Sequence, residues 1–290
     1  MSADYLCAYA DAGLYTMQGR LSAPEEGRFQ SFPRSHWAQE IELAAQVPLR
    51  GIEWIYDLFG VGINPLETAE GRVDLAARLK RSGVGVVSIC ADYFMDCPLV
   101  RVDKSLLIDR VARLKWLISI CPEMRVTRIV LPFVDASKIS TPGDADGVLA
   151  VLNEVLGDAV SCGVELHLET DLDPAGFKAF LDEVPHPLVK VNYDSGNSGA
   201  LGYSPAAEFA AYGDRIGSFH IKDRVLGGGT VPLGTGNVDF DGLRSALIDI
   251  GYRGDFVMQV ARSKSGDELN WLKRAAQASS NWLRGQGISN

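Results

Sequence analysis

Short apolar runs alternate along this chain with longer stretches in which apolar positions recur every three or four residues. The runs have strand length and the stretches have helical period. Strands are predicted at 51–55 (GIEWI), 85–91 (GVVSICA), 126–133 (VTRIVLPF), 164–169 (VELHLE), 187–194 (PLVKVNYD), 215–223 (RIGSFHIKD) and 256–261 (FVMQVA). Helices are predicted at 67–81, 104–121, 144–160, 174–183, 204–213, 239–250 and from about 267 to 284. Several helices begin after Ser, Asp or Pro and end at Gly, as capping requires. The N-terminal segment supplies a weaker eighth unit, with ADAGLYTMQG (10–19) as a poor strand and HWAQEIELAAQ (36–46) as its helix.

Strict alternation of β and α implies a parallel sheet with helices outside it. Eight units in 290 residues fit a single-domain (β/α)8 TIM barrel spanning residues 1–290. A doubly wound open sheet is the alternative, but no GxGxxG follows the first strand. No linker or low-complexity tract marks a second domain, and the Gly227–Gly229 cluster falls inside a βα connection.

In such a barrel the active site gathers at the carboxyl ends of the strands. Four predicted strands in the second half end near a residue able to hold a metal ion: Glu169, Asp194, His220 and Gln259. Taken singly each has an ordinary explanation. A strand-end Glu forms a salt bridge, an Asp caps the next helix, and a strand His is a satisfied core residue. Four in succession on neighbouring strands point into one mouth. Oxygen donors with one imidazole suit one divalent ion such as Mn²⁺, Mg²⁺ or Co²⁺. Zinc, which more often takes Cys or several His, is the less favoured choice.

MQGRL (17–21), GIEWI (51–55), HLET (167–170), NYDSGN (192–197), FHIKDR (219–224) and GTGNVDF (234–240) together resemble the xylose isomerase-like TIM barrels, the sugar phosphate isomerase/epimerase group. The resemblance covers nearly the whole chain. It implies a Glu, an Asp, a His and a second Glu around one divalent metal, and proton transfer beside a carbonyl through an enediolate. Glu169, Asp194 and His220 match the first three, and Gln259 stands where the second Glu belongs. The epimerases of that family use two Glu on opposite faces of the substrate. An amide has no titratable group, so Gln259 cannot act as the second proton carrier of that mechanism. Glu169 is the expected base in a sugar isomerase or epimerase. A dehydratase (lyase) of a keto-polyol and a metal-binding homologue without turnover are the alternatives.

Other residues near the expected mouth complete the candidate site. Lys222, two residues after His220 and on the same side of the strand, is a candidate to polarise a hydroxyl or neutralise an enediolate. Arg224 and Arg262 are candidates to hold an anion in a fork. Gln18 and Arg20 close the first strand, and Glu53 and Trp54 sit near the end of the second, so these four are candidate substrate contacts. Glu53 and Asp223 are also candidates for a missing second acid. Trp54, Tyr93 and Phe133 are candidates for an apolar wall.

Composition narrows the partners. With 28 Lys+Arg against 37 Asp+Glu the net charge is −9, which disfavours nucleic acid, since binding there runs on cations replacing counterions. The four His are too few for a multi-zinc DNA-repair nuclease on the same barrel. The expected partner is a small sugar or sugar phosphate, with self-association into a homo-oligomer expected from the family. Five Cys without a CxxC read as reduced thiols. No basic-then-apolar leader and no membrane-length apolar run is visible, so a cytoplasmic protein with no membrane partner is expected.

Overall fold

The computed structural model describes Leu6 and residues 14–288. The first four residues of the weak N-terminal strand segment, and Cys7, lie outside them. Eight parallel strands close into a barrel in the order β1-β10-β7-β6-β5-β4-β3-β2. They are β1 (Leu14–Met17), β2 (Leu49–Ile55), β3 (Gly85–Cys90), β4 (Arg128–Phe133), β5 (Glu165–Thr170), β6 (Val189–Asp194), β7 (Ile216–Ile221) and β10 (Asp255–Met258). The helices that follow these strands are α1 (Trp37–Ala44), α2 (Ala69–Ser82), α4 (Lys104–Met124), α5 (Pro142–Cys162), α6 (Pro174–Asp182), α8 (Pro205–Tyr212), α9 (Phe240–Ile250) and α10 (Glu268–Leu283). Each predicted helix is present. The (β/α)8 barrel expected from the periodicity is therefore the fold.

The helix ends follow local chemistry. Thr141 and Asp144 form a capping box at the start of α5, and Gly163 ends it in the left-handed conformation that glycine adopts without strain. Thr68 and Asp173 cap α2 and α6 by accepting from the Gly71 and Gly176 amides. Three short elements were not expected: α3 (Tyr93–Asp96), α7 (Ser195–Leu201), and a hairpin of β8 (Asp223–Arg224) with β9 (Thr230–Val231) inside the Gly-rich connection. The α7 sequence, SGNSGAL, reads as loop because Gly and Ser favour turns. It is helical here because Asp194 accepts a hydrogen bond from the Asn197 amide and caps it.

Strand alternation divides the side chains into two sets. One set faces outward, where Trp54, Phe219 and Phe256 are buried against the helices, the last two packing on Trp282 of α10. A buried aromatic of this size contributes about 4–6 kcal/mol of gross hydrophobic stabilisation. The other set meets inside the barrel, and it is polar. Contacts between strands that are not neighbours can only run through the interior. Arg128 on β4 pairs with Asp255 on β10 at 2.8 Å. His167 on β5 meets Ser218 on β7 at 2.7 Å. His220 on β7 reaches Glu53 on β2 at 2.7 Å. Buried polar groups are tolerated when hydrogen-bonded; His167, Ser218, His220 and Glu53 meet that condition, whereas Arg128 uses Nη1 and leaves Nε and Nη2 without a partner among the described residues. These side chains form a column that rises towards the carboxyl ends of the strands.

Candidate metal centre and cleft

At the top of that column Glu169, Asp194 and His220 come together, each buried and offering one ligand atom, all within 4.8 Å of one another. Three neighbouring strands supply them, β5, β6 and β7. His220 Nδ1 lies 3.4 Å from Glu169 Oε2 and 3.8 Å from Asp194 Oδ2. Its other nitrogen, Nε2, faces Glu53 Oε1, and Ser88 Oγ donates to Glu53 Oε2. A carboxylate on Nε2 holds the proton there and turns the Nδ1 lone pair towards the cluster, as the partners of metal-bound histidines do.

Two asparagines hold the Glu169 carboxylate. Asn192 Nδ2 donates to its Oε2 at 2.8 Å, and Asn197 Nδ2 donates to its Oε1 at 2.7 Å. Asn197 Oδ1 in turn accepts from Arg224 at 2.8 Å and from Lys222 Nζ at 3.3 Å. Lys222 Nζ also lies 3.2 Å from Asp194 Oδ2. Gly196 makes room for this lysine, because a Cβ there would sit 2.6 Å from Lys222 Cγ.

The charged groups of the cluster shift one another. Burial alone would raise the Asp194 carboxyl, but Lys222, His220 and the Asn197 amide outweigh it and hold the group down at about 2. Burial works against a charged His220, yet Glu53, Asp194 and Glu169 together push its imidazole well above the ordinary range. The protein thus gathers three carboxylates around one imidazole, an arrangement that calls for a cation. Gln259 adds a second sign. Its Oε1 is buried with no hydrogen-bond partner among the described residues, while its Nε2 donates to Gln30 Oε1 at 2.7 Å. An orphaned buried oxygen beside a Glu–Asp–His set fits a divalent cation, so these residues can hold one.

Above the cluster opens a cleft of 330 Å³, within the range of small-molecule sites. Glu169, Lys222, Arg224 and Gln259 line it, with Gln30, Asp92 and Asn197. The remaining expected substrate contacts lie elsewhere. Glu53 is fully buried behind His220 and orients it. Trp54, one residue on, faces the helices, packs on Phe32 and Trp37, and donates to Asn64. Gln18 accepts from the Ile55 amide at 3.0 Å. Arg20 donates to Val260 O, Phe29 O and Gln30 Oε1. Arg262 donates to Phe29 O and Ser22 O and faces Glu268. Both arginines therefore pin the segment 22–30 that forms one rim. Neither Tyr93 nor Phe133 lines the cleft. Asp223 accepts from the Gly236 and Val238 amides and anchors the Gly-rich loop.

Gln30, Asp92 and Asn197, which line the cleft, and Asn192, which holds Glu169 from beneath it, escaped the sequence reading. Asn192 had a findable signal, since it shares strand parity with Asp194 on the inner face; Asp92 lies just past β3, where the chain has already turned helical. Asn197 lies one helical turn after Asp194. Gln30 lies in irregular chain, where no periodicity points anywhere.

A parallel barrel carrying a Glu–Asp–His cluster under a cleft at its carboxyl end defines the class, a metal-capable (β/α)8 barrel. Residues 41–285 match the family model of the xylose isomerase-like TIM barrel, and the chain belongs to that family. It is 24% identical over 247 residues to the putative L-ribulose-5-phosphate 3-epimerase SgbU of Escherichia coli (strain K12), covering 80% of this chain and 86% of that one. Among solved structures, the IOLI protein with a binding zinc atom superposes with a TM-score of 0.72 at 18% identity, covering 96% of this chain and 100% of that one. A xylose isomerase-like TIM barrel protein from Mycobacterium smegmatis in complex with magnesium gives 0.68 at 19% identity, covering 95% and 98%. Among the described residues no helix is long and apolar enough to cross a membrane.

Proposed function

We propose that the protein is a divalent-metal-dependent isomerase or epimerase that moves a proton beside the carbonyl of a sugar or sugar phosphate. The observation that carries this reading is the convergence of Glu169, Asp194 and His220 directly under a cleft that Glu169 itself lines. The E. coli relative, named as a putative ribulose-phosphate 3-epimerase, supports the reaction class. Glu169, Asp194, His220 and Gln259 Oε1 would hold the ion, with Mn²⁺, Mg²⁺ or Co²⁺ favoured by the oxygen-rich donor set. When bound there, such an ion would supply Lewis-acid stabilisation of the negative charge that develops beside the carbonyl.

The chain's own groups do the rest. A Glu169 carboxylate oxygen, steadied by Asn192 and Asn197, takes the proton from the carbon next to the carbonyl. Lys222 and Arg224, both held by Asn197, face the cleft and offer donors to the substrate's hydroxyl groups. The buried Glu53 keeps His220 in one orientation.

The test is incubation with Mn²⁺ and a panel of ketoses and ketose phosphates in deuterated water. The wild type is expected to wash deuterium into a carbon adjacent to the carbonyl of at least one substrate. Glu169→Gln is expected to abolish this while metal stays bound. Undiminished exchange in that variant would move the base elsewhere.

A further inference from the structure

Gln259 takes the place of a carboxylate, yet its surroundings are built around an amide. Arg20 donates to Gln30 Oε1 at 2.9 Å, and because a guanidinium only donates, it fixes the Gln30 oxygen on its own side. The Gln30 amide nitrogen then points the other way and donates to Asp92 Oδ2 at 2.8 Å. Position 259 meets the same Gln30 oxygen at 2.7 Å and has to supply a donor, which Gln does and an ionised Glu cannot. Gln30 thus bridges the amide at 259 to a second carboxylate that lines the same cleft.

We propose that Asp92 is the second proton-transfer residue of this cleft, serving the substrate face opposite Glu169. The inference rests on the reaction class proposed above. Asp92 follows β3 whereas Glu169 ends β5, and both line the cleft. Asp92 is 9% exposed and Gln259 6%. Besides Gln30, the hydrogen-bond partner of Asp92 is the Cys90 thiol at 3.1 Å, a weak donor. Among the described residues it forms no salt bridge, in contrast to Asp194 with Lys222. Burial, reinforced by Asp57 and Glu169, outweighs its two hydrogen bonds and lifts the carboxyl to about 6. A carboxylic acid of that kind keeps its proton more readily than an ordinary one, which suits a proton donor.

The proton balance closes. Glu169 takes the proton from the carbon beside the carbonyl, and the C–H electron pair becomes the C=C bond of the enediolate. The Asp92 carboxylic acid gives its proton to the other face of the same carbon, and the C=O bond re-forms. Glu169 ends protonated and Asp92 ionised, and exchange of one proton each with water restores both.

The experiment compares wild type, Asp92→Asn, Asp92→Ala and Glu169→Gln, each with Mn²⁺ and the ketose panel in deuterated water, scoring epimer formation and deuterium wash-in separately. Asp92→Asn is expected to lose epimer formation by about 100-fold or more yet to retain wash-in with unchanged configuration, because Glu169 still works on its own face. A merely structural role would lower both together. Epimer formation by Asp92→Asn and Asp92→Ala within threefold of wild type overturns the proposal, as does parallel loss of both signals in folded, metal-loaded variants. A wild type that washes in deuterium without forming any epimer overturns it too and leaves the one-base reading standing. A wild type that exchanges nothing overturns the reaction class itself.

Discussion

Replacing Asp92 by Asn tests the electrostatics of the cleft through stability alone. Burial raises the folded-state carboxyl from 3.8 to about 6. A raised folded pKa means that the folded chain binds the proton more tightly than the unfolded one. The associated stability is fully present below pH 4 and is lost as pH rises through 6. About two pKa units correspond to about 3 kcal/mol. Asn cannot ionise and removes that loss. It also turns one amide nitrogen towards Gln30 or Cys90, both donors, at a cost of about 1 kcal/mol. The variant should therefore be about 2 kcal/mol more stable than wild type at pH 8. For a chain of this length that raises Tm by about 3–4 °C. Below pH 4 the advantage should vanish. Urea unfolding in chelator from pH 4 to pH 8, followed by circular dichroism, measures it. An Asp92→Asn protein no more stable than wild type at pH 8, or one whose difference is independent of pH, would show that burial does not raise the Asp92 carboxyl. A group that is costly to keep and lines the cleft is what a stability–activity trade-off looks like.

Two further variants probe the same architecture. Glu53→Gln keeps the shape behind His220 but removes the charge that fixes its Nε2 proton, so Mn²⁺ affinity measured by titration calorimetry should fall by about tenfold or more; unchanged affinity would mean that Glu53 does not steer the imidazole. Gln259→Glu places an acceptor against Gln30 Oε1 and should destabilise the protein by about 1–3 kcal/mol at pH 8, with less effect at pH 5 where the new carboxyl can protonate; a neutral or stabilising result would show that Arg20 does not lock the Gln30 amide.

The barrel was legible because period and capping agree along nearly the whole chain. Helix α5 shows this, with Thr-Pro at its start and Gly163 at its end. Glu169, Asp194 and His220 were legible because polar residues at strand ends stand out against apolar runs. The second-strand residues misled for a physical reason. Glu53 and Trp54 are adjacent, and alternation sends them to opposite sides. One therefore enters the barrel beneath the histidine and the other enters the helix layer. Neither lines the cleft. Arg20 and Arg262 carry the charge expected of anion holders, but sequence cannot show that backbone carbonyls of a distant loop already use their donors. Gln30 was invisible because its importance comes from three partners, Arg20, Asp92 and Gln259, that only the closed barrel brings together.

The proposed function requires one divalent cation among Glu169, Asp194, His220 and Gln259. Equilibrium titration of chelator-stripped protein with Mn²⁺, for wild type and His220→Ala, tests it most directly. The account predicts one ion per wild-type chain, a Tm that rises with Mn²⁺ in step with about 2.7 kcal/mol of stabilisation at a hundredfold excess over Kd, and binding weakened by at least a hundredfold in His220→Ala. A wild type that binds no Mn²⁺, or a His220→Ala protein that binds it as tightly, would contradict it.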